Sequence, residues 1–188
     1  MNTLRLFDPG QAVHAPPGFR YAPNFISEEE ERAILALAPT LRFEPYVIRD
    51  QPSKRLLALV GGYATGGGKR APLPEFLLPI RDRAARLTDI PAAQYTKALL
   101  QYYPVGAGIG WHRDFDEYGA AVVGLNLLGT CTLKLRRTDD LKNVFAQELL
   151  PRSAYVIGGE TRHLWHHGIP PVKEARWSLT FRTLRDPD

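Results

Sequence analysis

From residue 93 onward the chain is a series of short strand-like runs: AQYTKALLQYYPV (93–105), AAVVGLNLLG (120–129), CTLKLRR (131–137), FAQELLP (145–151), SAYVIGG (153–159) and RWSLTFRTL (176–184). Each is rich in aliphatic, β-branched or aromatic side chains. Gly, Pro, Asp or Asn interrupts them at short intervals. Strands of this length and spacing belong to a sandwich, jelly roll or barrel. Upstream the texture differs. Pro9-Gly10 and Pro16-Pro17-Gly18 mark an extended arm with turns. Ser27, with Glu30 three residues on, predicts a capped helix over SEEEERAILALA, its acidic residues on the positive end of the dipole and Pro39 at its close. Residues 42–64 predict two strands with a polar link. Residues 74–88 predict a second helix, with Pro79 in its first turns, where proline is tolerated best. TGGGK (65–69) is followed by Arg70 rather than by the Ser or Thr of a phosphate-binding loop.

The 188 residues are 44% hydrophobic and 23% charged, an ordinary globular composition that excludes a disordered tail, a collagen-like fibre and a coiled-coil rod. Gly and Pro number 16 each, more than average, in keeping with a chain that turns often. Cys131 is the one cysteine, so no intrachain disulfide can form. No apolar run approaches the length of a membrane span. The first residues, MNTLRLFDPGQAV, contain no apolar stretch of secretory type, and a reducing cytoplasm is the expected location. The net charge of +4 gives a weak hint of a polyanionic partner.

Chemistry concentrates in GIGWHRDFDEYG (108–119). His112 and Asp114 are two residues apart, a spacing that puts both on one face of a strand. A His and a carboxylate so placed can share one metal ion. A second His from another strand would complete a facial triad with open positions on Fe(II). That second His must be His163, His166 or His167. Strand alternation would put His163 and His167 on one face and His166 on the other. Zinc, as in a hydrolase, would suit the same ligands.

In RWSLTFR, Arg176, Ser178, Thr180 and Arg182 alternate with Trp177, Leu179 and Phe181. The apolar face is expected to pack on the core. Two guanidinium groups on the other face are costly unless they meet anions, and a small dicarboxylate would satisfy both. A solvated edge strand is the competing reading. A zinc hydrolase has no use for a dicarboxylate site.

The order His-x-Asp, several strands, His-Gly-Ile, then Arg-x-Ser-x-Thr-Phe-Arg resembles the AlkB family of Fe(II)/2-oxoglutarate dioxygenases over roughly residues 97–183. The resemblance implies a fold that is mainly β with flanking helices, around a double-stranded β-helix (jelly-roll) core. It implies one domain over 1–188, with 1–93 an N-terminal extension of helices and substrate lid and 94–188 the catalytic core. It implies Fe(II), 2-oxoglutarate and O2 as cofactor and co-substrates. His112, Asp114 and His167 would hold the metal, and Gln101, Tyr103, Arg176, Ser178 and Arg182 the 2-oxoglutarate. Gln101 and Ser178 stand where the family often has Asn, and both still hydrogen-bond.

The activity implied is oxidative demethylation of N-alkylated nucleobases in DNA or RNA, releasing formaldehyde, succinate and CO2. Asp116 or Glu117 would meet an exocyclic amine of the base. Tyr63 is the nearest aromatic to the lid position that stacks on the base in the family's repair enzymes. Lys54, Arg55, Lys69 and Arg70 would hold phosphates. The expected partner is nucleic acid, single-stranded or with a flipped base, with no membrane and no obligate protein partner. The alternatives are the same chemistry on a protein or small molecule, or a non-catalytic nucleic-acid-binding jelly roll.

Overall fold

The computed structural model describes residues 14–48, 51–62, 71–115 and 118–184. In chain order the elements are β1 (Phe19–Ala22), α1 (Glu28–Leu35), β2 (Glu44–Ile48), β3 (Gln51–Gly61), α2 (Leu78–Ala85), β4 (Tyr95–Tyr103), β5 (Ile109–His112), β6 (Tyr118–Leu128), β7 (Cys131–Arg137), β8 (Val144–Leu149), β9 (Ser153–Gly158), α3 (Gly159–Leu164), β10 (Trp165–Ile169) and β11 (Arg176–Leu184). They form two antiparallel sheets. The larger runs β1-β9-β6-β11-β4-β3-β2, the smaller β5-β10-β7-β8. This is the jelly roll the sequence leads one to expect, mainly β with flanking helices.

Alternation along the strands separates two cores. On one face of the large sheet Leu100, Val123, Leu125, Leu179 and Phe181 pack with Ile34 of α1 and Leu77 and Ile80 at α2. On the other face Tyr103, Tyr155 and Ile157 meet Leu133, Leu135 and Ile169 of the small sheet. The interior between the sheets is where the polar face of β11 points. Arg176, Ser178 and Thr180 are buried there, so β11 is no solvated edge; it lies in the sheet centre between β6 and β4.

The capping box on α1 is present: Ser27 N–H donates to Glu30 at 2.9 Å and Glu30 N–H to Ser27 Oγ at 3.1 Å. The helix stops at Leu35, and Pro39 sits in a following 3₁₀ turn, Ala38–Thr40. The second helix is shorter than the expected 74–88. Pro79 cannot donate an N–H, and α2 begins only at Leu78 after a 3₁₀ turn. Two elements differ from expectation. Residues 19–22, expected as arm, are a strand paired to β9. His163 lies in α3, so strand alternation does not reach it. Strands β1, β2 and β3, from the segment expected as an extension, hydrogen-bond into the same sheet as the core strands.

Among the described residues no helix is long and apolar enough to cross a membrane.

Candidate active site

The small sheet brings two histidines face to face. His112 ends β5, and its register partner on β10 is His167. Their ring centroids are 4.2 Å apart. The chain leaves strand geometry after His112, so the expected shared strand face does not position Asp114. Arg162 of α3 does this work instead. Its Nη1 and Nη2 donate to the carbonyls of Asp114 and Phe115 at 3.2 and 2.6 Å and hold the turn. One donor atom each from His112, Asp114 and His167 then lie within 4.8 Å of one another, close enough to share one ion.

The protonation states suit a cation. Burial pushes both histidines down, His167 to about 3, helped by neighbouring His112 and opposed by Asp114. Burial pushes Asp114 up, but the cations around it, Arg182 first, outweigh it and hold the carboxyl well below its usual range. Two neutral imidazoles and a carboxylate are the deprotonated forms a metal needs. His112 Nδ1 donates to Gly110 O at 2.9 Å, which leaves Nε2 as the nitrogen that would hold a metal. Arg182 Nη1 donates to Asp114 Oδ1 at 2.9 Å, while Oδ2 lies 3.8 Å from His167 Nε2. Arg182 thus orients the carboxylate. The expected pairing of one co-substrate carboxylate with each arginine meets a guanidinium already engaged at 182.

His166, next in sequence, lies outside the triad. It pairs with Arg136 across β10 and β7, and burial, with the charges of Arg136 and Arg113, pushes its pKa down.

Arg176 is fully buried. Its Nε donates to Asn126 Oδ1 at 2.6 Å, and its plane lies over the Tyr103 ring, 4.5 Å from the centroid. Neither Nη1 nor Nη2 has a hydrogen-bond partner. An ionised group desolvated without an acceptor is destabilising by at least about 1–3 kcal/mol. A carboxylate presenting two oxygens would satisfy both nitrogens. The residues therefore fit a small carboxylate ligand as well as a metal.

Gln101 and Tyr103 lie opposite Ser178 and Arg176 in the β4–β11 register, and all four are buried. The expected co-substrate residues are thus brought together on one sheet face. Sequence reasoning missed two groups there. Asn126 anchors Arg176 while its own Nδ2 donates to the carbonyls of Gly129, Leu149 and Leu150. Arg55 was expected at a phosphate. It is buried instead, because its Nη1 donates to Gln101 Oε1 at 3.0 Å and lies 3.4 Å from the Tyr103 hydroxyl. The available signal was Arg55 at the polar edge of the apolar run in KRLLALV. Lys54 is exposed; Lys69, Arg70, Tyr63, Asp116 and Glu117 lie outside the described residues.

A cavity of about 520 Å³ opens onto His112 and Asp114, walled by Tyr46, Leu57, Leu99, Trp111 and Phe115 together with Arg55 and Arg182. A narrower recess shares His112, Asp114, Gln101, Arg55 and Arg182 with it and continues to Tyr103, Tyr155 and Thr180. The first has the size of a small-molecule or base pocket. The second runs into the jelly-roll interior.

Comparison with known proteins agrees with this geometry. The model of the 2OG-Fe(II) oxygenase superfamily matches residues 61–184. An Arabidopsis thaliana protein, "Alkylated DNA repair protein ALKBH8 homolog", is 27% identical over 204 residues, covering 90% of this chain and 59% of its own length. The Escherichia coli "Alpha-ketoglutarate-dependent dioxygenase AlkB" is 31% identical over 123 residues, 58% of this chain and 55% of its own. The chain spans about half the length of the curated relatives it matches. The solved structure of OsALKBH1 shares the fold with a TM-score of 0.74 at 17% identity, over 90% of this chain and 98% of that one. The fold, the His-Asp-His cluster and the matched family model lead to one assignment: the chain belongs to the 2OG-Fe(II) oxygenase superfamily, as an AlkB-like member.

Proposed function

We propose that the chain is an Fe(II)- and 2-oxoglutarate-dependent dioxygenase that removes N-linked methyl groups from nucleobases in DNA or RNA. The observation that carries the reading is one recess lined by His112, Asp114 and His167 that runs on to Tyr103, with the unpartnered Arg176 guanidinium stacked on that tyrosine ring. Iron and 2-oxoglutarate, when bound, supply with O2 the hydroxylation of an unactivated C–H bond, releasing succinate and CO2. The remaining work falls to the chain. His112 Nε2, Asp114 Oδ2 and a His167 ring nitrogen would hold the metal. Arg176, Tyr103, Gln101 and Ser178 would hold 2-oxoglutarate. Arg182 keeps Asp114 aimed and Arg162 keeps its loop folded. The tyrosine, tryptophan and leucine walls of the outer cavity suit a flat base and exclude water. A hydroxylated N-methyl group then collapses to formaldehyde and the bare nitrogen.

The names of the relatives from Arabidopsis and Escherichia coli support alkylated nucleic acid as substrate. Tyr63, Asp116 and Glu117 remain the proposed contacts to the base. Cytoplasmic action is part of the proposal, resting on Cys131 as the one cysteine. Arg55 on the cavity wall favours a second reading, the same chemistry on a small anionic molecule.

Turnover on N-methylated oligonucleotides, a methylated peptide and 2-oxoglutarate alone, with formaldehyde and succinate both measured, tests this. Formaldehyde is expected with oligonucleotides only. Arg176→Lys should weaken 2-oxoglutarate binding by about 10- to 150-fold, the loss of hydrogen bonds to a charged group. Formaldehyde from the peptide alone would overturn the substrate, and the absence of succinate under every condition would overturn the enzyme.

A further inference from the structure

Tyr155 belongs to none of the roles above, yet it stands inside the recess that holds them. It pairs with Gly124 across β9 and β6, and Gly124 pairs in turn with Thr180 of β11. The tyrosine side chain lies across the glycine: a Cβ at position 124 would overlap the ring Cζ and the hydroxyl. Gly124 is thus the bare strip of sheet over which the phenol reaches from β9 toward β11. The phenol end faces chemistry. Tyr103, Asp114, His167 and Thr180 line the recess together with it. Thr180 Oγ1, on the same wall, is buried without a partner, as are both Nη atoms of Arg176. Burial pushes the Tyr155 hydroxyl up, so it stays a proton donor.

A protonated phenol and a hydroxyl on the recess, with an unpartnered guanidinium stacked on Tyr103 of the same wall, form a donor set for a carboxylate. The ring is also bulky and rigid, with no freedom to swing back while Gly124 and the packed strands hold it. From this placement we propose that Tyr155 closes the inner end of the co-substrate recess, donates to the carboxylate that Arg176 binds, and sets the chain length of the 2-oxo diacid the protein accepts. The proposal rests on the 2-oxoglutarate site proposed above and adds the residue that measures the ligand. Gly124 is its necessary partner, since any side chain there would displace the ring.

The test is calorimetric and needs no turnover. Protein loaded with Mn(II), a divalent ion that suits the same ligands and does not oxidise in air, is titrated with 2-oxoglutarate and with the one-carbon-longer 2-oxoadipate. Tyr155→Phe keeps the packing and removes only the hydroxyl. It should weaken 2-oxoglutarate binding by about 10-fold or more while Mn(II) affinity stays unchanged. Tyr155→Val suits a strand and opens the end of the recess. It should raise the affinity for 2-oxoadipate relative to 2-oxoglutarate by on the order of 10-fold. Thermal melting of both variants checks the fold; if the valine variant does not fold, the phenylalanine variant decides. Wild-type 2-oxoglutarate affinity in Tyr155→Phe would overturn the proposal and leave the co-substrate site standing. An unchanged preference in a folded Tyr155→Val would overturn the measuring role. Failure of the wild-type protein to bind 2-oxoglutarate at all would bring down the site and this proposal together.

Discussion

His112 and Asp114 show how a motif can be right about which residues meet and wrong about how. Their spacing suggests a shared strand face, but β5 ends at His112. The carboxylate returns to the histidines because Arg182 takes one of its oxygens and Arg162 takes the neighbouring carbonyls. The ligands were legible because they sit in short, polar-rich motifs. Their supports were not: Arg55 meets Gln101 across 46 residues and Arg176 meets Asn126 across 50, and such pairs exist only once the sheet is closed. The choice among three neighbouring histidines is sharp at this scale. His167 Nε2 lies 3.8 Å from Asp114, whereas His166 is outside the cluster and pairs with Arg136 across β10 and β7. Alanine at His112, Asp114 or His167 is therefore expected to lower Mn(II) affinity by on the order of 100-fold or more, beyond the loss typical of groups that only support a ligand. His166→Ala should bind Mn(II) like the wild type. Calorimetry on the four variants checks this, and loss of metal in His166→Ala with retention in His167→Ala would reverse the assignment.

Elements with a clean period were read correctly, and elements too short to have one were not. Six strands from residue 93 onward announce themselves as short apolar, β-branched or aromatic runs between turn residues, and α1 by its cap. α3 has only six residues, GETRHL, and follows Gly158, so no helical period can develop in it. β1 and β5 have four residues each, and their pairing comes from partner strands distant in sequence. Yet α3 matters to the site out of proportion to its length. It presents Arg162 from beneath, 2% exposed, to the loop that carries Asp114. Arg162→Met keeps much of the buried volume and removes both carbonyl contacts. The Asp114 loop should then sample other conformations, and Mn(II) affinity should fall by about 10- to 100-fold, the range for groups that orient a ligand. Circular dichroism should show the sheets retained. Metal affinity equal to that of the wild type would mean that the β5 turn holds Asp114 without help from α3.

At the scale of the whole molecule, a jelly roll that buries His167 and half-buries His112 as neutral imidazoles depends on pH when it holds no metal. In the folded chain burial, with the neighbouring His112, keeps His167 neutral down to about 3, and burial lowers His112 as well. In the unfolded chain a histidine titrates at about 6.5. Between those values the unfolded state binds more protons, so stability rises with pH, by up to about 1.4 kcal/mol per pH unit for each such histidine. The contribution is complete above the unfolded value and is lost as pH falls below it. Asp114 works in the same direction, but only near and below the ordinary carboxylate range, since its folded value is depressed. The melting temperature of the metal-free protein should therefore fall steadily between pH 7 and pH 4.5. His167→Gln, which keeps a neutral polar side chain and removes one titrating group, should flatten that decline. Bound Mn(II) should raise stability at pH 7 and be released as the pH falls, because protons compete for the same nitrogens. A melting temperature that stays level from pH 7 to pH 4.5 in the metal-free wild type would show that His167 takes up protons in the folded state as freely as in the unfolded one, contrary to its burial.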